Sequence, residues 1–265
     1  MKSFLLLLLT ALSVTSCPQV KEEVQNLHPL FDISEKELME SISDLPAASR
    51  EKIAAKAQVF LDLILQLLEL PEDLLILADK KHILGKQYIP PDLINLEGYS
   101  FSLAGNKLEL RRMIIPDLLA MVESSREQGL ELLISSAYRS YSRQELIYNN
   151  NVRSLGREIA DRESAKPGHS QHQLGTTIDF GSIDDGFASH PSGIWLAEHG
   201  WQFGFSLSYP PDNEKITGYR YEPWHYRYIG RHAARITREF FLNEQQYFLE
   251  FWEQKSSFFR KIRIR

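Results

Sequence analysis

The chain has 265 residues, 43% hydrophobic and 25% charged, the composition of an ordinary globular protein able to bury a sizeable core. One domain with helical additions suits that length better than two full domains. The net charge of -5 and a pI near 5.9 argue against a nucleic-acid partner, which needs a basic patch across the fold.

The chain opens on Met1-Lys2-Ser3-Phe4 and the apolar run Leu5 to Leu9. A positive start, a short apolar stretch and small residues after it read as an export signal over residues 1–16, because a membrane span needs about 20 apolar residues. The single cysteine, Cys17, follows Val14-Thr15-Ser16 in a pattern that resembles the lipobox of bacterial lipoproteins. The expectation is an exported protein of the cell envelope, held to a membrane through a lipid anchor at Cys17. Stable anchoring takes more than one acyl chain. With Cys17 so used, the folded part has no cysteine and makes no demand on an oxidising compartment.

Residues 17–70 read as a helical N-terminal extension. The spacing predicts helices from Glu35 to Ile42 and from Ala47 to Leu70, the second with Ile53, Ala57, Phe60, Leu61, Ile64, Leu67 and Leu68 at three- and four-residue steps. Such a stripe packs on a core. Pro71-Glu72-Asp73 is a candidate start for a further short helix and for the catalytic domain, placed at 71–240. Tyr88 to Leu96 is a proline-stiffened extended stretch, since the residue before each proline leaves the helical region. A helix from Leu108 to Gln128 stops at Gly129. The apolar run Leu130 to Ala137 is of strand length and leads into Tyr138-Arg139-Ser140-Tyr141.

A helix is expected over Ser142 to Val152, a strand over Thr176 to Phe180, and a helix over Pro191 to Gly200. Trp201 to Tyr209 reads as loop or strand, Pro210-Pro211-Asp212-Asn213 as a turn, and the aromatic-rich Tyr219 to Tyr228 as a strand. Helices from Gly230 to Phe240 and from Asn243 to Trp252 follow. Residues 241–265 are thus a C-terminal helix and a basic tail, Phe258 to Arg265, expected to be a frayed, solvated end; contact with anionic lipid or wall polymer is the alternative.

Two stretches carry the chemistry: Gly168-His169-Ser170-Gln171-His172-Gln173-Leu174-Gly175-Thr176-Thr177-Ile178-Asp179-Phe180 and Tyr221-Glu222-Pro223-Trp224-His225-Tyr226. They offer His172, Asp179 and His225 as three N/O ligands for zinc, with Glu222 as a base. Three protein ligands leave a coordination position open for water, the mark of a catalytic rather than a structural zinc site. Two neutral donors and one anionic donor keep the site positive and Lewis-acidic. His and Asp alone say little, because eight histidines and 35 acidic residues allow many chance spacings. The local context supplies the specificity.

That context resembles the VanY-type D-alanyl-D-alanine carboxypeptidases, zinc peptidases of the bacterial cell wall that share a metal core with lysostaphin-type enzymes and Hedgehog domains. Their signature is Ser-x-His, then Gly, then Asp, and later Glu-x-x-His followed by aromatic residues. It stands here as Ser170-Gln171-His172, Gly175, Asp179, Glu222-Pro223-Trp224-His225 and Tyr226-Arg227-Tyr228. The resemblance extends to Tyr88-Ile89-Pro90-Pro91-Asp92-Leu93, to Ser136-Ala137-Tyr138-Arg139-Ser140-Tyr141 with Gln144, and to Trp195-Leu196 with Gly204-Phe205, covering residues 73 to 232 in order.

The resemblance implies an α+β fold: a small, mainly antiparallel sheet carrying the zinc site, with helices packed around it. It implies that Glu222 takes a proton from the attacking water and returns it to the leaving amine. Arg139 would grip a peptide's terminal carboxylate or the developing oxyanion, while Tyr138, Gln144 and Ser170 would shape or hydrogen-bond the substrate pocket. Trp224 would pack against the metal loop. His169 is not expected to be a ligand, and His28, His82, His190, His199 and His232 are surface or packing residues. The implied function is a zinc-dependent carboxypeptidase removing terminal D-alanine from peptidoglycan stem peptides. The alternatives are an L,D-carboxypeptidase or D,D-dipeptidase on wall peptides, or a non-catalytic, lipid-anchored wall-binding module.

Overall fold

A computed structural model describes residues 26–264; the export segment and Cys17 lie outside them. In chain order the elements are α1 (Glu35–Ser41), α2 (Ala47–Ala55), α3 (Ala57–Leu67), β1 (Leu93–Asn95), β2 (Ser102–Leu103), β3 (Glu109–Arg111), α4 (Ile115–Arg126), β4 (Leu133–Ser136), α5 (Tyr141–Leu155), α6 (Arg157–Glu163), β5 (Thr177–Phe180), α7 (Pro191–His199), β6 (Phe205–Leu207), α8 (Glu214–Thr217), β7 (His225–Tyr228), α9 (Arg231–Phe240) and α10 (Gln245–Ile262). Single 3₁₀ turns link several of them.

The central sheet runs β2-β4-β5-β7-β6. The β2-β4 edge pair is parallel and the other three pairs are antiparallel, so this is the α+β, mainly antiparallel architecture expected. β5 and β7 sit inside it, and every residue of both strands is buried. A strand covered on both faces cannot alternate apolar with polar against solvent. The polar side chains that β5 and β7 carry are therefore enclosed, and enclosed polar groups need partners or a ligand.

The helical ends of the chain close over the sheet. Phe60 of α3 packs edge-on against Phe240 of α9, with ring centroids 5.3 Å apart, and tilted against Phe251 of α10 at 6.0 Å. These rings belong to the same buried cluster as Phe180 of β5 and Phe205 of β6. The N-terminal stripe thus faces the core, as its spacing predicts.

Several boundaries differ from the sequence reading. The helix expected over Ala47 to Leu70 is two helices, because Lys56 leaves helical geometry at φ -136° and ψ 42°. Pro71 opens a turn, with the Leu74 amide donating to the Pro71 carbonyl at 3.0 Å, rather than a helix. The helix expected from Leu108 begins at Ile115: Pro116 occupies its first turn, where a proline is tolerated. The residues before it form β3 on β1. Arg111, buried there, pairs with Asp92 at 2.7 Å and Asp73 at 2.9 Å.

The basic tail does not fray. α10 continues ten residues past the expected end at Trp252 to Ile262 because Phe259 on its inner face is fully buried. Beyond it, the Ile264 amide donates to the Leu30 carbonyl at 3.0 Å, and Arg263 pairs with Glu69 at 2.6 Å.

Candidate metal centre and active-site cleft

β5 and β7 place Asp179 directly opposite His225 in antiparallel register. Opposed residues on neighbouring strands project to the same face within contact distance, so two of the candidate ligands meet through strand pairing alone. The third, His172, lies on the 3₁₀ turn Gln171–Leu174 that precedes β5. The turn ends at Gly175, φ +69°, where a Cβ would come within 2.9 Å of Leu93. A left-handed residue in such close quarters has to be glycine, which is why Gly175 belongs to the motif.

One ligand atom from each of His172, Asp179 and His225 falls within 4.8 Å of the others, and all three residues are buried. His172 Nε2 lies 3.2 Å from Asp179 Oδ2, and His225 Nδ1 lies 3.1 Å from Asp179 Oδ1. Despite those approaches, His172 Nε2 and Asp179 Oδ1 make no hydrogen bond, because their lone pairs converge on a shared point instead of on each other. Buried polar atoms without partners are rare and mark a missing occupant. Two imidazoles and a carboxylate fit zinc, which takes nitrogen and oxygen donors at about 2.0–2.2 Å.

The far nitrogens fix which atoms face inward. His172 Nδ1 lies 2.7 Å from the Ala137 carbonyl, which can only accept. The proton therefore sits on Nδ1 and the Nε2 lone pair stays free. Burial, then the Arg139 guanidinium, pushes His172 down to about 4, so its ring is neutral at pH 7. Burial pulls Asp179 upward, but His172 and His225 outweigh it and hold the carboxyl well below the usual range.

Glu222 is not on the β7 strand. The strand expected from Tyr219 starts only at His225, and residues 223–224 form a turn closed by the His225 amide donating to the Glu222 carbonyl at 3.1 Å. Pro223 cannot donate to a ladder, so the chain turns there and delivers both side chains to one side. Glu222 Oε2 comes to 3.3 Å from His225 Nδ1 but stays outside the three-ligand group. Burial, then the Asp179 carboxylate, raises its carboxyl to about 8.

These residues form the floor of a cleft of about 740 Å³ whose lining includes Tyr138, Arg139, Gln144, Ser170 and Trp224. Arg139 reaches Asp179 with one terminal nitrogen at 3.1 Å and the Gln144 side-chain oxygen with the other at 3.0 Å. Its Nε is buried and unpartnered. Gln144 is itself buried and donates to the Ala165 carbonyl at 2.7 Å, so it aims the guanidinium. Trp224 packs under the Arg220 guanidinium, 5.2 Å from the ring centre. His169 turns away, its Nδ1 2.7 Å from the Asp79 carbonyl.

Sequence reasoning missed Gln171, whose side-chain oxygen lies 3.3 Å from His225 Nε2. Its place in the ligand motif, next to His172, was the available signal.

The two titrating groups set opposite pH responses in metal-free protein. Glu222, raised from 4.5 to about 8, gives stability that is complete below the lower value and lost as pH rises through the higher one. His172, lowered from 6.5 to about 4, gives stability lost as pH falls across that window. Between pH 4.5 and 6.5 the His172 and Glu222 slopes oppose; Glu244, raised by burial to about 7, adds a loss up to that pH, and above it the Glu222 loss remains. Urea unfolding with chelator present should therefore show stability falling from pH 7 to 8 in the parent and holding level in Glu222→Gln. An equal fall in both proteins would assign the loss to another group.

A buried two-histidine, one-carboxylate centre with a free carboxyl beside it, on the floor of an open cleft, defines a metallohydrolase. The VanY family profile, described as D-alanyl-D-alanine carboxypeptidase, matches residues 107–231. YodJ of Bacillus subtilis (strain 168), whose carboxypeptidase name is provisional, is 35% identical over 69% of this chain and 70% of its own. Among solved structures, the LdcB LD-carboxypeptidase superposes with a TM-score of 0.61 at 30% identity, over 67% of this chain and 86% of its own. A mutant of the vancomycin resistance D,D-pentapeptidase VanY, in complex with Zn(II), does so at 0.52 and 31% identity, over 63% of this chain and 93% of its own. The chain belongs to the VanY D-alanyl-D-alanine carboxypeptidase family.

Proposed function

We propose that this protein is a zinc-dependent D-alanyl-D-alanine carboxypeptidase that removes the terminal D-alanine from peptidoglycan stem peptides. The observation that carries the reading is the buried convergence of His172, Asp179 and His225 at the floor of the cleft, where His172 Nε2 and Asp179 Oδ1 are left unpartnered, with Glu222 and Arg139 beside it.

His172 through Nε2, Asp179 through its carboxylate and His225 through Nδ1 would hold the zinc. When bound, zinc supplies a Lewis acid for the scissile carbonyl and lowers the pKa of water to about 7. A cation in that place also favours the ionised form of Glu222, the form a base needs. Glu222 then accepts a proton from the attacking water and passes it to the nitrogen of the departing D-alanine. Arg139, aimed by Gln144, lines the cleft where its guanidinium would bind the substrate's terminal carboxylate. Tyr138 and Ser170 line the same cleft, and the pocket they shape sets how the peptide end lies.

Arg139→Lys replaces a planar fork by a point charge. It should raise KM and lower kcat/KM by about 10-fold or more, the scale of a hydrogen bond to a charged group. Steady-state kinetics on a defined pentapeptide reads this directly, and unchanged constants would remove Arg139 from the binding role.

The function itself is tested by incubating the purified protein with defined pentapeptide and tetrapeptide muropeptides and weighing the products. Chelator-sensitive loss of one D-alanine from the pentapeptide is expected. Cleavage of the tetrapeptide alone would make the enzyme an L,D-carboxypeptidase, release of a dipeptide a D,D-dipeptidase, and no product a binding module.

Export to the cell envelope and lipid attachment at Cys17 are part of this proposal, supported by the short apolar run and the lone cysteine after it. Among the described residues no helix is long and apolar enough to cross a membrane. Cys17→Ser should move the protein from the membrane to the soluble fraction; an unchanged distribution would rule out the lipid as the anchor.

A further inference from the structure

Behind His225 lies a chain of buried polar side chains that the hydrolytic chemistry does not use. Gln171, Ser208 and Gln245 are each at most 3% exposed. Gln245 stands at the first turn of α10, outside the residues matched by the family profile. Its amide nitrogen donates to the Ser206 carbonyl at 3.1 Å. Gln171 donates from its amide nitrogen to the Gln245 side-chain oxygen at 3.4 Å. The Gln171 oxygen then accepts from the Ser208 hydroxyl at 2.7 Å and from His225 Nε2 at 3.3 Å.

The order of these contacts has one consistent direction. A backbone carbonyl only accepts, so Gln245 must turn its nitrogen to Ser206 and its oxygen to Gln171. Gln171 must then turn its nitrogen to Gln245 and its oxygen to His225. An imidazole facing an acceptor carries its proton on that side, which leaves the other nitrogen with a lone pair. The Ser206 carbonyl of β6 thereby sets, through two amides, an acceptor at His225 Nε2 that works against the carboxylates of Asp179 and Glu222, 3.1 and 3.3 Å from Nδ1, and leaves the Nδ1 lone pair for a metal.

We propose that Gln171, oriented by Gln245 of the C-terminal helix, is a positioning residue that sets the tautomer of His225, making α10 part of the support of the metal centre. This rests on the ligand assignment above but not on the substrate. His172 takes its tautomer from a single backbone carbonyl; His225 takes its own from a relay that side-chain substitution can break.

The test uses the full-length protein stripped of metal, with histidine side-chain ¹⁵N chemical shifts to read the tautomer and chelator competition to read zinc affinity. The parent should show His225 protonated at Nε2. Gln171→Leu, which has no acceptor, should mix the two tautomers and weaken zinc binding by about 10- to 100-fold, the usual scale for outer-shell ligands. Gln245→Leu should act in the same direction. Gln171→Glu keeps an acceptor facing His225 and should restore both the tautomer and the affinity, which a merely space-filling role would not do. Far-ultraviolet circular dichroism establishes that each variant is folded; were Gln171→Leu to unfold, the Gln171→Glu and Gln245→Leu pair decides. A Gln171→Leu protein with parental tautomer and zinc affinity, or a Gln171→Glu protein as impaired as Gln171→Leu, would overturn the proposal. Because tautomer and affinity are read without substrate, the result stands apart from any failure to release D-alanine.

Discussion

Glu222→Gln should fold, hold zinc at the parental level and lose hydrolysis of stem peptides by about 10²-fold or more, the contribution of a positioned general base. The substitution keeps the length and shape of a side chain that is only 8% exposed, so packing in the turn before β7 is preserved. It removes the one property at issue, a carboxylate able to take a proton. Glu222 lies beside the ligand group without belonging to it, which is why zinc content should not change. The measurement is a pair: metal content by mass spectrometry and turnover of a pentapeptide under single-turnover conditions. Parental turnover with zinc bound would refute the assigned base while leaving the ligands in place. Loss of zinc would instead move Glu222 into the ligand set.

His172→Ala and His225→Ala should each reduce zinc content to a small fraction of the parent's and abolish turnover, because two donors cannot hold a divalent ion against water as three can. The two variants should differ in the metal-free state. Removing the His172 ring empties a fully enclosed site, whereas His225 also packs at a tilt against Tyr209, with centroids 4.7 Å apart, so His225→Ala should lower thermal stability more visibly. Full zinc occupancy in either purified variant would disprove the ligand assignment.

The parts of this molecule that are legible in the sequence are those where a chemical requirement restricts the residue type. A ligand must be His or Asp, a left-handed turn pressed against Leu93 must be Gly175, and a chain that leaves the ladder before His225 tolerates Pro223. Such residues stand out one by one. The apolar stripe of α2 and α3 was legible for a related reason, since burial of Phe60 and Ile64 imposes a period.

What stayed hidden depends on partners distant in the chain. Nothing local to Gln171 announces a partner at Gln245, and an isolated glutamine is chemically unremarkable. The start of α4 was misplaced because Leu108 to Ile114 has helical spacing too. The Arg111 amide is instead drawn to the Gly175 carbonyl, 2.9 Å away, a long-range bond that local propensity cannot see. The short α6 follows Gly156 with no side-chain cap and so lacks a readable start signal. The end of α10 was misjudged because Arg260, Lys261 and Arg263 read as solvated, while the neighbouring Phe259 is fully buried and sets the course of the backbone.

The joining of the two ends has a consequence for how the molecule opens. Phe31 bridges to Arg263, and its ring meets that of Phe259 edge-on at 6.2 Å, so neither end of the described chain can peel away without exposing the other. Termini are ordinarily the first segments to exchange their amide hydrogens. Here the first and last turns of the described residues share one closure. Release of the carboxyl-side end takes Phe259 from Phe60 and Phe251, whose ring centres lie 6.4 and 6.0 Å from it. A protease trimming from the carboxyl side would meet resistance at Ile262, and, once past it, would loosen the segment around Phe31 in the same event.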